Sequence, residues 1–202
     1  VPGKEAGDMS GSETAIKACC ALAERGTALD FEADQSRLCR ECARVGRTCC
    51  QGHDIYVTWG DCHRIFIHTR LRDFFEYRAC SDLAYADQGE DPLWQQHVFR
   101  PDGSRRVLKR QANGDCHFLS SQGCQLPLTV RPLICRLFPH VYSAAGIYDS
   151  WDEGCPAARV IAKAALESSI AGMARGEAAR WHQLLYDEVI WEGLIDESWI
   201  NL

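Results

Sequence analysis

Cys39-Arg-Glu-Cys42-Ala-Arg-Val-Gly-Arg-Thr-Cys49-Cys50 is the stretch on which the reading of this chain turns. Two cysteines separated by two residues can aim both sulfurs at one ion across a tight turn, which is why such pairs recur in zinc and iron–sulfur sites. One pair supplies only half of a tetrahedral set. The other ligands must come from elsewhere, and Cys116, Cys124, Cys135 and Cys155 each fall at a turn or at the edge of an expected element. The adjacent Cys49 and Cys50 carry a different message, because consecutive side chains of an extended segment point to opposite faces. Either they serve two sites, or one ligates and the other packs. Eight cysteines would fit two four-ligand sites, with the pairing left open.

The rest of the composition asks for such an explanation. With 202 residues, 46% of them hydrophobic and 25% charged, the chain can build an ordinary core without cysteine staples, yet it carries 12 cysteines. Val1 to Ser12 is polar and glycine-rich, without the apolar centre of a signal peptide. The expected compartment is therefore the cytoplasm, where structural disulfides are rare and cysteine clusters mean metal or redox chemistry. A net charge of −6 argues against a coat for nucleic acid, and no apolar run reaches the length of a membrane span. The expected partner is another protein, with neither membrane nor nucleic acid involved.

Periodicity and turn residues predict an α+β fold, mostly α-helical with small β-hairpins, organised around cysteine-ligated metal. Ser12 to Arg25 reads as a helix, and Asp54 to Val57 as a short strand. Thr58 with Asp61 has the spacing of a helix-starting capping box, and the apolar pattern from Ile65 to Phe75 carries that helix to about Arg78. Asp102-Gly103 predicts a hairpin between 93–100 and 105–111. A tighter hairpin is expected across Cys116–Leu119 and Cys124–Leu126, then a proline-rich loop with a short helix over 127–140. Past Cys155-Pro156 the chain turns helical, from Ala157 to Arg175 and, after a break at Gly176, from Glu177 to Ile190. The expected organisation is an N-terminal helix and connector at 1–36, a metal-binding domain at 37–156, and a helical extension packed on it at 157–202.

Taken together, Cys39-x2-Cys42-x6-Cys49-Cys50, the Thr58-x-x-Asp61 helix start, Cys116-His-Phe-Leu119, Gly123-Cys124 and Arg131-Pro132-x-x-Cys135-Arg136-x-Phe138-Pro139 resemble the YkgJ-type cysteine-cluster family. That family is described as zinc- or iron-chelating, and a related domain occurs in flagellin lysine methylases. The resemblance covers roughly Arg37 to Pro156 and departs from the family in the longer gap between Cys42 and Cys49. It implies a metal-ligand set of Cys39, Cys42, Cys49, Cys50, Cys116, Cys124, Cys135 and Cys155. Cys19, Cys20, Cys62 and Cys80 fall outside that set, and packing is the better reading for them.

The leading expectation is an iron–sulfur cluster, of the 4Fe-4S type, serving electron transfer, redox sensing or an accessory role. The alternative is zinc, holding together a protein-interaction module, or a metal-dependent modifying enzyme related to the flagellin methylases. Arg40, Arg44, Arg47, Arg131 and Arg136 are placed to offset thiolate charge around either metal. His117 and His140 lie near ligand cysteines, but a hydrogen-bonding or surface role suits them better. The basic run Arg105, Arg106, Lys109 and Arg110 reads as a solvated hairpin edge. No phosphate-binding loop, dinucleotide glycine motif, nucleophile elbow or Cys-x3-Cys-x2-Cys run points to a particular enzyme.

Overall fold

Thr58 starts the first helix as its spacing predicts. In this computed structural model, which describes residues 42–43, 48–80, 89–152, 155 and 175–192, α1 spans Trp59–Thr69. The Thr58 hydroxyl accepts from the Asp61 amide at 2.9 Å, and the Asp61 carboxylate accepts from the Thr58 amide at 3.2 Å. The helix stops at Arg70, in the left-handed region at φ 61°, well before Arg78. Phe74 and Phe75 fit a helical spacing, but they belong to the start of β1 (Phe75–Ala79), which pairs antiparallel with β2 (Ser104–Leu108) from Phe75↔Leu108 to Ala79↔Ser104. Strand pairing overrides the local period here.

The expected strand at 93–100 is instead α2 (Pro92–Val98). The Asp91 side chain accepts from the Trp94 amide at 3.1 Å and Pro92 opens the helix, an N-cap and first-turn proline that outweigh the turn signal downstream. The Asp102-Gly103 turn does form, with Gly103 at φ 76°, but β2 takes β1 as its ladder partner. On β2's other side runs the extended segment 55–57, held by Leu108 N–H to the Ile55 carbonyl at 2.9 Å and Val57 N–H to the Arg106 carbonyl at 3.2 Å.

Downstream, β3 (Leu119–Ser120) and β4 (Gly123–Cys124) form the tight hairpin expected. A 3-10 turn at Leu128–Val130 leads into α3 (Leu133–Leu137). β5 (His140–Ser143) and β6 (Gly146–Trp151) make a second hairpin, which the sequence reading did not anticipate. α4 (Arg175–Glu192) runs through Gly176 without a break. A glycine in a first turn costs roughly 1 kcal/mol, less than the burial of Ala178, Leu185, Tyr186 and Val189 returns. The helix expected at 12–25, and 157–174 of the helix expected before Gly176, lie outside the described residues.

Two apolar clusters result. The first gathers Ile55, Val57, Cys62, Ile65, Phe74, Leu108, Phe118 and Leu126, with Cys116 among its buried members and Cys50, Cys124 and Cys135 packed against it. The second gathers Tyr56, Trp94, Val98, Leu133, Leu137, Leu185 and Val189, where α2, α3 and α4 meet. Alternation along the extended 55–57 segment sends Ile55 and Val57 into one cluster and Tyr56 into the other.

A buried ionic network ties α4 to these elements. Arg64 bridges Asp61 at 2.7 Å and Glu188 at 2.6 Å, and the Thr58 hydroxyl donates to Glu188. Arg106 pairs with Glu192, donates to the Val57 carbonyl at 2.9 Å and lies 3.9 Å from the centre of the Trp59 ring. Arg105 is buried as well, with Asp54 3.4 Å from its guanidinium. The run at 105–110 is therefore not a solvated edge: β2 is covered on both sides, and its first two arginines face carboxylates brought from elsewhere.

Candidate metal centre

The turn at Thr48–Gln51 positions the first thiols. The Gln51 amide donates to the Thr48 carbonyl at 3.2 Å, and Gln51 Oε1 accepts from the Thr48 amide at 3.0 Å. Gly52, at φ 85°, lets the chain leave the turn in a conformation that side chains disfavour. Backbone bonds then join this turn to a distant segment: the Cys116 amide donates to the Cys50 carbonyl at 2.9 Å, beside a bridge between Gln51 and Asp115. The Gln111 side-chain amide braces that segment through the carbonyls of Cys116 at 2.9 Å and Leu119 at 2.8 Å.

The thiols follow their backbones together. Cys50 is in hydrogen-bonding contact with the thiols of both Cys116 and Cys49. The opposite-face argument for Cys49 and Cys50 thus does not apply, because these residues occupy a turn and not a strand. Cys135, on α3, feels the charges of Cys50 and Cys124, the latter on β4. Five sulfurs from four separate segments therefore share one neighbourhood, and all but Cys49 lie in or against the first apolar cluster. Among the described residues, no three His, Cys, Asp or Glu side chains converge closely enough to hold a single ion as they stand.

Electrostatics sort these thiols. Cys50 is pulled strongly down from the ordinary thiol range, first by its bond from Cys116, then by Cys49, with the Arg131 charge adding and burial opposing. Cys116 is pushed up by that same bond, as the partner that keeps the proton. Cys135 is pushed up by burial first, then by the charges of Cys50, Cys124 and Asp61, with Arg131 opposing. Among these three thiols, Cys50 is thus shifted towards the thiolate and Cys116 and Cys135 towards the protonated form.

Arg131 is the arginine that the structure brings into this field. It is buried, and its Nε donates to the Leu126 carbonyl at 2.9 Å. Arg136, also expected to offset charge, turns to the backbone, donating to the carbonyls of Arg131 at 2.7 Å and Thr129 at 2.6 Å. Burial pushes its guanidinium down to about 10. Arg40, Arg44 and Arg47 lie outside the described residues.

Of the other candidate ligands, Cys42 and Cys155 are buried, the Cys155 amide donating to the Asp152 carbonyl at 3.0 Å. Cys39 lies outside the described residues, as do Cys19 and Cys20. Cys62 packs within the first cluster, where burial raises its thiol far above the ordinary range, and Cys80 is half-buried at the end of β1. His117 stacks edge-on against Phe118, its ring centre 4.8 Å away, and His140 sits on β5.

Sequence reasoning identified the Thr58–Asp61 box but missed its further reach. The Leu133 amide, at the start of α3, donates to both Asp61 oxygens, at 3.1 and 3.3 Å. It missed Glu188 and Glu192 altogether. Their signal was available in the glutamates placed four apart on the last turns of α4, a spacing that puts both on one face.

A family model named CxxCxxCC, described as "Putative zinc- or iron-chelating domain", matches residues 38–156. The chain belongs to this family. The CxxCxxCC name has two residues between its second and third cysteines, where this chain has the six residues Ala43 to Thr48. The matched segment contains Cys39, Cys42, Cys49, Cys50, Cys116, Cys124, Cys135 and Cys155, so membership makes this a cysteine-rich metal-binding protein. No curated protein and no solved structure matches it. No helix among the described residues is long and apolar enough to cross a membrane.

Proposed function

We propose that this CxxCxxCC domain carries an iron–sulfur cluster and works in electron transfer, redox sensing or as a cluster-dependent accessory factor with a protein partner. The observation that supports this reading is the gathering of Cys50, Cys116, Cys124 and Cys135 against one apolar wall, with Cys49 in contact with Cys50 and the Arg131 charge acting on the group. Soft thiolates suit either iron–sulfur or zinc. The proline that follows Cys155, as a proline follows the last cysteine of ferredoxin-type runs, tilts the reading towards a cluster. In this reading Cys50, Cys116, Cys124 and Cys135 are ligands, Cys49 stands beside them, and Cys39, Cys42 and Cys155 complete the eight.

When bound, a cluster supplies one-electron transfer. The chain's own residues do the rest: Arg131 offsets thiolate charge, and Phe118, Leu119 and Leu126 keep water from the sulfurs, both levers on a redox potential. A zinc reading has one specific support, the direct contact between the Cys50 and Cys116 thiols, since the sulfurs of a tetrahedral zinc site are close neighbours.

The test is metal and acid-labile sulfide analysis, with a visible spectrum, on full-length protein purified without oxygen. Iron with matching sulfide and a broad absorption near ~400 nm is the expected result. Stoichiometric zinc in a colourless protein would replace it with the zinc-held scaffold, whose thermal stability then falls on chelation.

A further inference from the structure

We propose that Asp61 is a positioning residue of the metal centre: from α1 its carboxylate caps the short helix that carries Cys135, and so holds that sulfur beside Cys50 and Cys124. The inference rests on the metal reading above and extends it to a residue that is not itself a ligand.

α3 cannot cap itself. Its N-cap is Pro132, which offers no side-chain acceptor, and no side-chain hydrogen bond closes its start locally. An acceptor is needed because the first amides of a helix have no partner within it. The buried Leu133 amide finds one in Asp61, a residue with no exposed surface. Cys135 lies two residues further on, so displacing this first turn displaces its sulfur.

The carboxylate is itself anchored from two directions. It accepts from the Thr58 amide at 3.2 Å, and from Arg64 at 2.7 Å. Arg64 is held in turn by Glu188 of α4, at 2.6 and 3.0 Å. At the other end of α3, the Arg136 bonds to the carbonyls of Arg131 and Thr129 fix the helix to the preceding loop. α3 is thus clamped at both ends, at its start by Asp61.

The sign of the charge separates this role from an electrostatic one. The negative charge of Asp61 opposes a thiolate at Cys135. Were charge the whole effect, neutralising Asp61 would tighten metal binding. If position is the effect, the same change loosens it.

The experiment uses reduced, metal-free, full-length protein and Co(II) alone as the probe, which reports thiolate ligation whichever metal is native. Affinity is read by chelator competition and the ligand set by the thiolate-to-metal charge-transfer band. Asp61→Asn removes the charge while keeping the size, and Asp61→Glu keeps the charge but moves the acceptor. Thr58→Ala breaks the same capping box while leaving the Leu133 bond, and serves as the control for general loosening. Both Asp61 variants are expected to weaken Co(II) binding roughly tenfold, the scale of an outer partner of a ligand, and to alter the charge-transfer band. Thr58→Ala is expected to lower Tm with affinity unchanged within about twofold. Tighter or unchanged binding in Asp61→Asn, full affinity in Asp61→Glu, or affinity that merely follows Tm across all three variants would overturn the proposal. A wild-type protein without a Co(II)–thiolate band would instead overturn the metal reading, and this inference with it.

Discussion

Cys116 and Cys62 are both buried cysteines in the same apolar cluster, yet they should respond oppositely to substitution. Cys116 contacts Cys50 through its thiol, whereas Cys62 has a thiol that burial keeps far from ionising. Cys116→Ser is expected to abolish or strongly deplete the bound metal. Cys62→Ser should keep full metal stoichiometry while losing about 1–3 kcal/mol of stability, the cost of burying a hydroxyl among apolar neighbours. Metal analysis beside thermal melts distinguishes the two, and metal loss from Cys62→Ser would put that residue into the site. Gly60 makes a second residue-scale case. A Cβ there would strike the Glu188 carboxylate, which Thr58 and Arg64 hold in place. Gly60→Ala should therefore destabilise by about 1–3 kcal/mol, as overpacking does, and a melt within error of wild type would mean the carboxylate moves aside freely. The candidate cysteines stood out in the sequence by their spacing and by the turns expected around them, although the structure carries Cys124 on β4 and Cys135 on α3. Asp61's second role was not legible there, since its partner amide lies 72 residues along the chain and no local pattern connects them.

Elements tell a similar story of local rules meeting distant partners. The Thr58–Asp61 box predicted the start of α1, because a cap is written in four consecutive residues. The end of that helix was misjudged, since Phe74 and Phe75 satisfy a helical spacing until β2 claims the segment. At α2 the strand expectation failed because the Asp102-Gly103 turn was weighed above Asp91 and Pro92, a complete helix start. The arginines of β2 were read as solvated because nothing near them in sequence suggests that Glu192 reaches Arg106. That pair joins β2 to α4 and yields a prediction at this scale. Arg106→Met leaves Glu192 buried near Glu188 without its cation, and should cost about 3–5 kcal/mol. Adding Glu192→Gln to Arg106→Met should recover part of that loss. Denaturant melts of the single and double variants measure it, and a double variant no more stable than the single would mean the damage lies in lost packing over Trp59.

For the whole molecule, the buried ion network makes stability depend on pH through Glu192. Burial lifts its carboxyl to about 7, with Arg106 and the Trp59 amide acting against the rise. In the unfolded chain a glutamate titrates near ~4.3. Between these values the folded protein holds a proton that the unfolded chain has released. Glu192 therefore favours the fold at the acid end of that window, and this advantage disappears as pH rises towards about 7. Melts of wild type and Glu192→Gln from pH 4.5 to 8 should show wild type losing stability relative to the variant across that range. A constant difference between the two would show that Glu192 does not titrate there.

The ties from α4 also decide how the protein can be taken apart. The stretch recognised by the family signature closes at residue 156, whereas the carboxylates that reach Arg64 and Arg106 enter at 188 and 192. A 38–156 piece cut out for study would keep the eight candidate cysteines, yet leave Arg106 without its acid and the Leu133–Leu137 face without Leu185 and Val189. Its expected behaviour is poor solubility and weak metal retention, and restoring the residues through 192 should cure both. The shortest workable piece of this protein is thus longer than the segment by which its family is recognised.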